Sequence, residues 1–198
     1  MNIFKNLFGT KKEQETVKQA PPKLVPIDVS LDDAFVQNFI NKGGKFLYCT
    51  TQEEVNQNLR NILKENSWGK AVCLNSDLSK LLTIVEADST TDISANLPFF
   101  TFCEHLLVED GSIMFSSEQI HGKKIADLPD NFIVFAKTSQ LVRNKSEGLM
   151  GIRKSYQKNL PTNITSIRSY MPERVEDDFL NYGNTNAKSL YLLLLEDL

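Results

Sequence analysis

The chain has 198 residues, of which 41% are hydrophobic and 24% are charged, with a formal net charge of −3. This is the composition of an ordinary globular protein with enough apolar residues for a buried core, and the negative charge gives no indication of a nucleic-acid partner. Cys49, Cys73 and Cys103 are widely spaced and lack C-x-x-C spacing, so we expect no disulfide framework, zinc knuckle or iron–sulfur cluster.

The first 30 residues are predicted to form a flexible arm. Its apolar side chains cluster within residues 3–8, and the rest of the arm is polar or contains proline. The apolar tip would either dock on a partner or a neighbouring subunit, or belong to a disordered tail. It is too short for a signal peptide, and the longest aliphatic run, 192–195, is too short to cross a bilayer. We therefore expect a soluble, cytoplasmic protein with no membrane span.

From residue 31 to residue 198 the hydrophobic pattern predicts one α/β domain. Leu31, Phe35 and Phe39 recur at helical spacing, which predicts a first helix that ends at Gly43 and Gly44. Helices and strands then alternate, which favours a parallel sheet with helices on its faces. The elements predicted next are strand 45–50, a helix that opens with a capping box of Thr51 and Glu54, strand 70–74 and a short helix over 78–82. No element is predicted over 84–96.

The second half of the chain is predicted to add further strands and helices. Strands 98–103 and 112–117 are predicted to be joined by a helical turn over 104–109, which ends at Asp110 and Gly111. The continuous apolar run within the predicted strand 131–137 is typical of the centre of a sheet. The remaining predicted elements are a turn over 125–128, a helix marked by Leu149, Ile152 and Tyr156, strand 163–168, a helix over 173–182 and a buried strand over 190–195.

Standard catalytic and nucleotide-binding motifs are absent from the sequence. There is no G-x-G-x-x-G dinucleotide motif, no P-loop, no G-x-S-x-G elbow and no H-E-x-x-H. Cys103 and His105 would share a face of a strand, but two ligands are too few for zinc. A packed cysteine and a capping histidine are the favoured interpretation, and we expect neither a metal nor a cofactor.

The segment 104–117 carries the candidate site. Glu104 and Glu109 are the candidate catalytic residues, since both would lie near the carboxyl end of the sheet, where open α/β folds bind ligands. A ligand anion would be bound by serine hydroxyls, by the backbone at a glycine and by basic side chains. These candidate binding residues are Gly111, Ser112, Ser116, Ser117 and Lys123, with Lys124 beside them. The alternative interpretation is a polar corner with capped turns.

The same segment resembles a known family. Residues 101–117 (TFCEHLLVEDGSIMFSS) are similar to the central motif of the LUD (lactate utilisation) family, of the LutC/YkgG type. Residues 128–134 (LPDNFIV), 160–165 (LPTNIT) and 187–192 (AKSLYL) resemble three further segments of that family, in the same order. The resemblance covers the chain from about residue 45 to residue 196.

The resemblance implies a three-layer α/β/α fold with a mostly parallel sheet, like that of the NagB/RpiA/CoA-transferase group. It also implies a role in the cytoplasmic conversion of L-lactate to pyruvate, with iron–sulfur oxidoreductase subunits as partners and no cluster in this chain. One departure marks the chain as a divergent member. The family usually has an S-R-T-A-D-I motif after its penultimate strand. The corresponding residues of this chain, 171–177 (MPERVED), lack that motif, and Arg174 is the cation left there to bind a carboxylate.

Three functions are consistent with these features. The first is an accessory component of L-lactate or other 2-hydroxy-acid utilisation, with no redox centre of its own. The second is an enzyme that acts on a small anionic metabolite, phosphorylated or CoA-linked, with Glu104 or Glu109 as base or nucleophile. The third is a regulatory interaction module that uses the apolar arm.

Overall fold

The computed structural model describes residues 30–171 and 187–197, and helices alternate with strands through the first half of this part of the chain. The helices are α1 (Leu31–Asn41), α2 (Gln52–Glu65), α3 (Ser76–Ile84), α4 (Ser117–Ile120) and α5 (Lys145–Tyr156). The strands are β1 (Lys45–Cys49), β2 (Lys70–Cys73), β3 (Asp88–Thr90), β4 (Phe99–Phe102), β5 (His105–Leu107), β6 (Ser112–Ser116), β7 (Asn131–Lys137), β8 (Leu141–Val142), β9 (Ile164–Ile167) and β10 (Ser189–Leu195).

Side-chain caps explain where the first three helices begin. The Ser30 hydroxyl accepts the backbone N–H of Asp33 at the start of α1, and the Thr51 hydroxyl accepts that of Glu54 at the start of α2. Asn75 does the same for the first turn of α3. Each cap satisfies N–H groups that have no partner within the helix. The predicted boundaries of α1 and α2 follow from these signals.

The main sheet has six parallel strands in the order β1-β10-β7-β4-β2-β3. Its central strands β7 and β10 are buried over 132–136 and 190–194. Continuous apolar runs are expected where helices or other layers cover both faces of a strand. The predicted α/β fold with a mostly parallel sheet and flanking helices is thereby confirmed.

A second, four-stranded sheet has the order β8-β5-β6-β9. Strands β5 and β6 are antiparallel and form a hairpin, in which His105 lies opposite Met114 and Leu107 lies opposite Ser112. The predicted helical turn over 104–109 is wrong, because residues 105–107 are strand β5. Six residues are too few for helical periodicity to be distinguished from a short strand, and hydrogen bonds to β6 and β8 decide the conformation.

The two sheets and the helices are arranged in layers. Helices α2 and α3 pack on one face of the main sheet, where Leu59, Leu82 and Leu193 share a core. Helix α1 and the second sheet cover the other face, where Phe39, Ile113 and Phe132 are fully buried together. Helix α5 lies on the outer face of the second sheet. It packs there through a small apolar core formed by Leu107, Met114 and Ile152.

The chain leaves neighbouring strands β2 and β4 toward opposite faces of the main sheet. After β2 it enters α3, whereas after β4 it enters β5 of the second sheet on the other face. Such a divergence opens a crevice at the carboxyl ends of the strands, which is the usual ligand site of open α/β sheets. Glu104 lies directly at this point, two residues after β4 ends.

Three further predictions have different outcomes. Strand β3 lies within 84–96, where no element was predicted, because three residues give no readable period. The predicted strand 163–168 is β9, and it pairs with β6 in the second sheet. The predicted arm and the predicted helix over 173–182 lie outside the described residues, apart from Ser30 of the arm. Within the described ranges, no helix is both long and apolar enough to cross a membrane.

Candidate functional site

A corner of the backbone places Glu104 between the two sheets. The side-chain amide of Gln140 holds this corner, since its Nε2 donates to the carbonyl oxygens of Cys103 at 2.7 Å and Glu104 at 3.1 Å. Gln140 follows β7, the neighbour of β4 in the main sheet. The backbone N–H of Glu104 donates to the carbonyl of Met114 at 2.8 Å. The position of Glu104 is therefore fixed from two sides.

Three donors converge on one oxygen of the Glu104 carboxylate. Oε1 accepts hydrogen bonds from the Ser116 hydroxyl at 2.5 Å, from Nε2 of Gln119 at 2.8 Å and from the Tyr156 hydroxyl at 2.8 Å. We call Glu104, Ser116, Gln119 and Tyr156 the Glu104 cluster. Hydrogen bonds to an ionised acceptor are shorter and stronger than neutral ones, so this arrangement orients the carboxylate.

The second carboxylate oxygen has no partner in the described part of the chain. Across residues 30–171 and 187–197, no donor lies within hydrogen-bond distance of Oε2 of Glu104. A carboxylate with one oxygen held and the other free is positioned to accept a hydrogen bond or a proton from a ligand.

Two members of the cluster come from the turn between β6 and α4. Ser116 caps α4 by accepting the backbone N–H of Glu118 at 3.2 Å, while Oε1 of Gln119 accepts the backbone N–H of Ser116 at 2.7 Å. This reciprocal capping box fixes both side chains. Its S-x-x-Q spacing was visible in the sequence, so the role of Gln119 could have been anticipated from it.

Tyr156, at the end of α5, is the third donor to Glu104. Burial, followed by the hydrogen bond to Glu104 and the negative charge of Glu104, raises the pKa of its hydroxyl to about 12. Tyr156 therefore stays a neutral donor at physiological pH. In the sequence it was only an apolar position of a helix, and no local signal showed that α5 would meet the 104–116 segment.

Cys103 and His105 flank Glu104 but have structural roles. Cys103 is buried, and burial, followed by the charge of Glu104, raises the pKa of its thiol far above the ordinary value. Nδ1 of His105 lies 3.3 Å from the carbonyl oxygen of Gln140. Its ring packs so closely on Gly151 of α5 that a Cβ there would lie 2.6 Å from Nε2. In the described part of the chain, no group of three or more His, Cys, Asp or Glu side chains could hold a metal ion.

The structure places Gly111 and Ser112 at the other end of the β5–β6 hairpin. Four residues separate Ser112 from Ser116 along β6, which is about 13 Å at the usual rise of a strand. Asp110 accepts both the hydroxyl of Ser112 at 2.6 Å and its backbone N–H at 3.0 Å. Gly111 has φ +68° and packs against the backbone of α1, and its carbonyl accepts the Tyr170 hydroxyl at 2.7 Å. These residues are occupied by structural contacts.

The other predicted site residues lie outside the Glu104 cluster. Glu109 is exposed beside Asp110, and its backbone N–H donates to the carbonyl of Arg143 at 2.9 Å. The Ser117 hydroxyl accepts the backbone N–H of Thr162 at 3.1 Å. Lys123 is exposed after α4, as is Lys124, and neither side chain contacts the cluster. Arg174 lies outside the described residues.

A shallow groove of about 420 Å³ lies at the opposite, amino end of β2. It runs between the last turns of α2 and α3, and its lining includes Arg60, Trp68 and Glu86. No residue of the Glu104 cluster lines it. The groove is open to solvent, and its residues carry no arrangement of donors and acceptors comparable with that at Glu104.

No family model and no curated protein sequence matches this chain. Its structure is similar to the crystal structure of a DUF162 family protein from Deinococcus radiodurans, with a TM-score of 0.59. The similarity covers 84% of this chain and 96% of that chain, at 12% sequence identity. At this level of identity the similarity shows a shared fold, and it agrees with the α/β architecture described above.

Proposed function

We propose that this chain is a divergent LUD-type protein that takes part in the utilisation of L-lactate or a related 2-hydroxy acid. DUF162, the designation of the structural relative, is the LUD family. The fold shared with that relative and the motif resemblance over 101–117 support the proposal from independent directions. We further propose that the acid binds at Glu104, in the cytoplasm.

The free oxygen of Glu104 is the observation that carries this proposal. The hydroxyl group of a 2-hydroxy acid is a donor, and Oε2 is an acceptor without a partner among the described residues. The carboxylate of the acid needs a cation. Lys123 and Lys124 are the nearest cations along the chain from Gln119, and Arg174 is a further candidate. One of these cations, bound to the carboxylate of the acid, would complete its recognition.

Oxidation of a 2-hydroxy acid to a 2-oxo acid releases two electrons and two protons. Glu104 would accept the hydroxyl proton at Oε2, the oxygen that has no donor among the described residues. We propose that iron–sulfur oxidoreductase subunits take up the Cα hydrogen together with the two electrons, with this chain as their accessory, acid-binding component.

Calorimetric titration of the full-length chain with L-lactate and with pyruvate tests the proposal. Glu104→Gln should weaken binding roughly tenfold or more, because the acid loses a charged acceptor, whereas Glu109→Gln serves as the matched control and should bind as the wild type does. Equal binding by both variants, or no binding of either acid to the wild type, would contradict the assignment. Normal growth of a clean deletion strain on L-lactate would contradict the metabolic role separately.

A second candidate function follows from the same free oxygen. Oε2 of Glu104 could attack the thioester carbonyl of a CoA-linked acid, forming an acyl–glutamyl anhydride and releasing CoA as its thiolate. Incubation with acetyl-CoA should then add one acetyl group to the intact mass of the chain, and hydroxylamine should remove it. Acetylation that persists in Glu104→Gln would place the reaction elsewhere and contradict this candidate.

A further inference from the structure

Residues 141–160 are strongly basic within an acidic chain. They contain five lysine or arginine residues and a single carboxylate, Glu147, which gives them a net charge of +4. The whole chain has a net charge of −3, so the other 178 residues together carry −7. Three of the five cations lie on α5, which packs on the outer face of the second sheet, and the other two lie within two residues of its ends.

All five cations are exposed, and two of them, Arg153 and Lys154, lie one helical turn from the exposed apolar Met150. The cations are Arg143, Lys145, Arg153, Lys154 and Lys158. None of them forms an ion pair with a carboxylate of the described residues. The same stretch also exposes apolar side chains: on α5, Met150 is 71% exposed and Leu149 is 40% exposed, and after the helix Leu160 is 52% exposed. We call these five cations and three apolar residues the α5 surface.

We propose that the α5 surface is a docking site for another protein, one that presents carboxylates around an apolar centre. An apolar centre with a charged rim is the ordinary anatomy of a protein–protein interface, and methionine and arginine are enriched there. Charge complementarity selects the partner, because five exposed cations attract an acidic surface and repel a basic one.

The composition of the surface favours a protein over other occupants. Helices that bind membranes bury a broad apolar face with aromatic residues, whereas the inner face of α5 is already packed on the second sheet. Proteins that bind single-stranded nucleic acids expose aromatic side chains, and Tyr156, the aromatic residue of α5, is half-buried and bonded to Glu104. Two copies of the α5 surface would repel each other, so a second copy could bind only through an unlike face.

The position of α5 connects this surface with the Glu104 cluster. The outer side of the helix carries Met150 and Arg153, while its inner side carries Tyr156 and the glycine against which His105 packs. A partner on the outer side would therefore hold the helix that orients Glu104. The docking site does not depend on the proposed function, and either one can fail alone.

Selection from a displayed library of random peptides against the immobilised full-length chain tests the proposal. Enriched peptides should be acidic with one or two apolar residues, and their binding should weaken as salt rises. Met150→Asp and the double variant Arg153→Glu/Lys154→Glu should each weaken the binding of these peptides roughly tenfold or more. Ile84→Asp, at an exposed apolar residue on the opposite layer, is the matched control and should bind normally.

Several outcomes would overturn the docking site. Enriched peptides that are not acidic, or that bind Met150→Asp as well as the wild type, would do so. Binding of poly-uridine or of phosphatidylserine vesicles that the double variant abolishes would assign the surface to those ligands instead. Self-association of the wild type in sedimentation, lost in the double variant, would assign it to a second copy.

Discussion

The two ends of the β5–β6 hairpin have the same residue types and opposite properties. At one end, Asp110 binds the hydroxyl and backbone N–H of the neighbouring Ser112, and Lys42 lies 3.8 Å from its carboxylate. At the other end, Glu104 binds Ser116 and two further donors through a single oxygen. Each end pairs one carboxylate with one serine. Oδ2 of Asp110 has Lys42 as an ion-pair partner, whereas Oε2 of Glu104 has neither a hydrogen bond nor an ion pair among the described residues.

The difference lies in what surrounds each carboxylate. The Asp110 end packs against α1, where Gly111 touches the backbone of Asn38 and Phe39. Both donors to Asp110 belong to Ser112, two residues away, so the hydrogen bonds of Oδ1 are made within the turn. The Glu104 end lies at the carboxyl edge of the main sheet, and its donors come from 12, 15 and 52 residues away. The Glu104 carboxylate is therefore held by three separate parts of the chain, whereas both hydrogen bonds to Asp110 come from within one turn.

The largest effect on stability is expected at the Asp110 end of the hairpin. Gly111→Ala should lower the free energy of unfolding by about 3 kcal/mol or more, because its Cβ would lie 2.5 Å from the backbone nitrogen of Phe39 and φ is +68°. Gly122→Ala is the control, since φ is +71° but the space around it is open, and it should cost about 1 kcal/mol. Urea denaturation measures both. Equal losses would show that Gly111 is not tightly packed.

Substitutions at the two serines should both lower stability but should differ in their effect on ligand binding. Ser116→Ala and Ser112→Ala each remove a hydroxyl donor to a carboxylate, at 2.5 and 2.6 Å, which should cost about 1–2 kcal/mol. Ser116→Ala should cost about 1 kcal/mol more, because the Ser116 hydroxyl also caps α4. Only Ser116→Ala should also weaken the binding of L-lactate. Ligand binding weakened by Ser112→Ala, in a folded variant, would remove the distinction between the two ends.

Much of this comparison could not be predicted from the sequence. Most of the helices and strands followed from apolar periodicity and caps, as at Thr51, and the mostly parallel sheet with helices on its faces was predicted correctly from them. Glu104 was identified because it follows an apolar strand at the carboxyl edge. The antiparallel pairing of β5 with β6 was not predictable, because β5 has only three residues. Ser112 and Ser116 were therefore assigned to one site although they lie at opposite ends of the hairpin. Tyr156 reaches Glu104 through tertiary packing alone.

A smaller effect on stability is expected at low pH. Burial by itself would raise the pKa of Asp110, but the hydrogen bonds from Ser112 and the charge of Lys42 hold that pKa below its usual value. The stabilisation is therefore present above about pH 4 and lost as the pH falls through the lowered pKa. Asp110→Asn should show a shallower loss of stability below pH 4 than the wild type in thermal unfolding. Parallel curves for the two proteins would contradict this role.

The smallest effect is spectroscopic. Tyr156 should ionise near pH 12, because burial first and Glu104 second raise its pKa. In the phenolate absorbance titration, the difference between wild type and Tyr156→Phe should isolate this transition. Glu104→Gln should move it only part of the way toward pH 10, since burial remains. A transition near pH 10 in the wild type would show that Tyr156 does not donate to Glu104.

The central claim is that a ligand binds at the Glu104 end of the hairpin and not at the Asp110 end. Backbone amide NMR of the labelled full-length chain during titration with L-lactate tests it most directly. The account predicts concentration-dependent shifts at residues 103–105, 116–119 and 140, with residues 109–112 unchanged. Shifts confined to residues 109–112, or no shifts at the Glu104 end at saturating L-lactate, would contradict it.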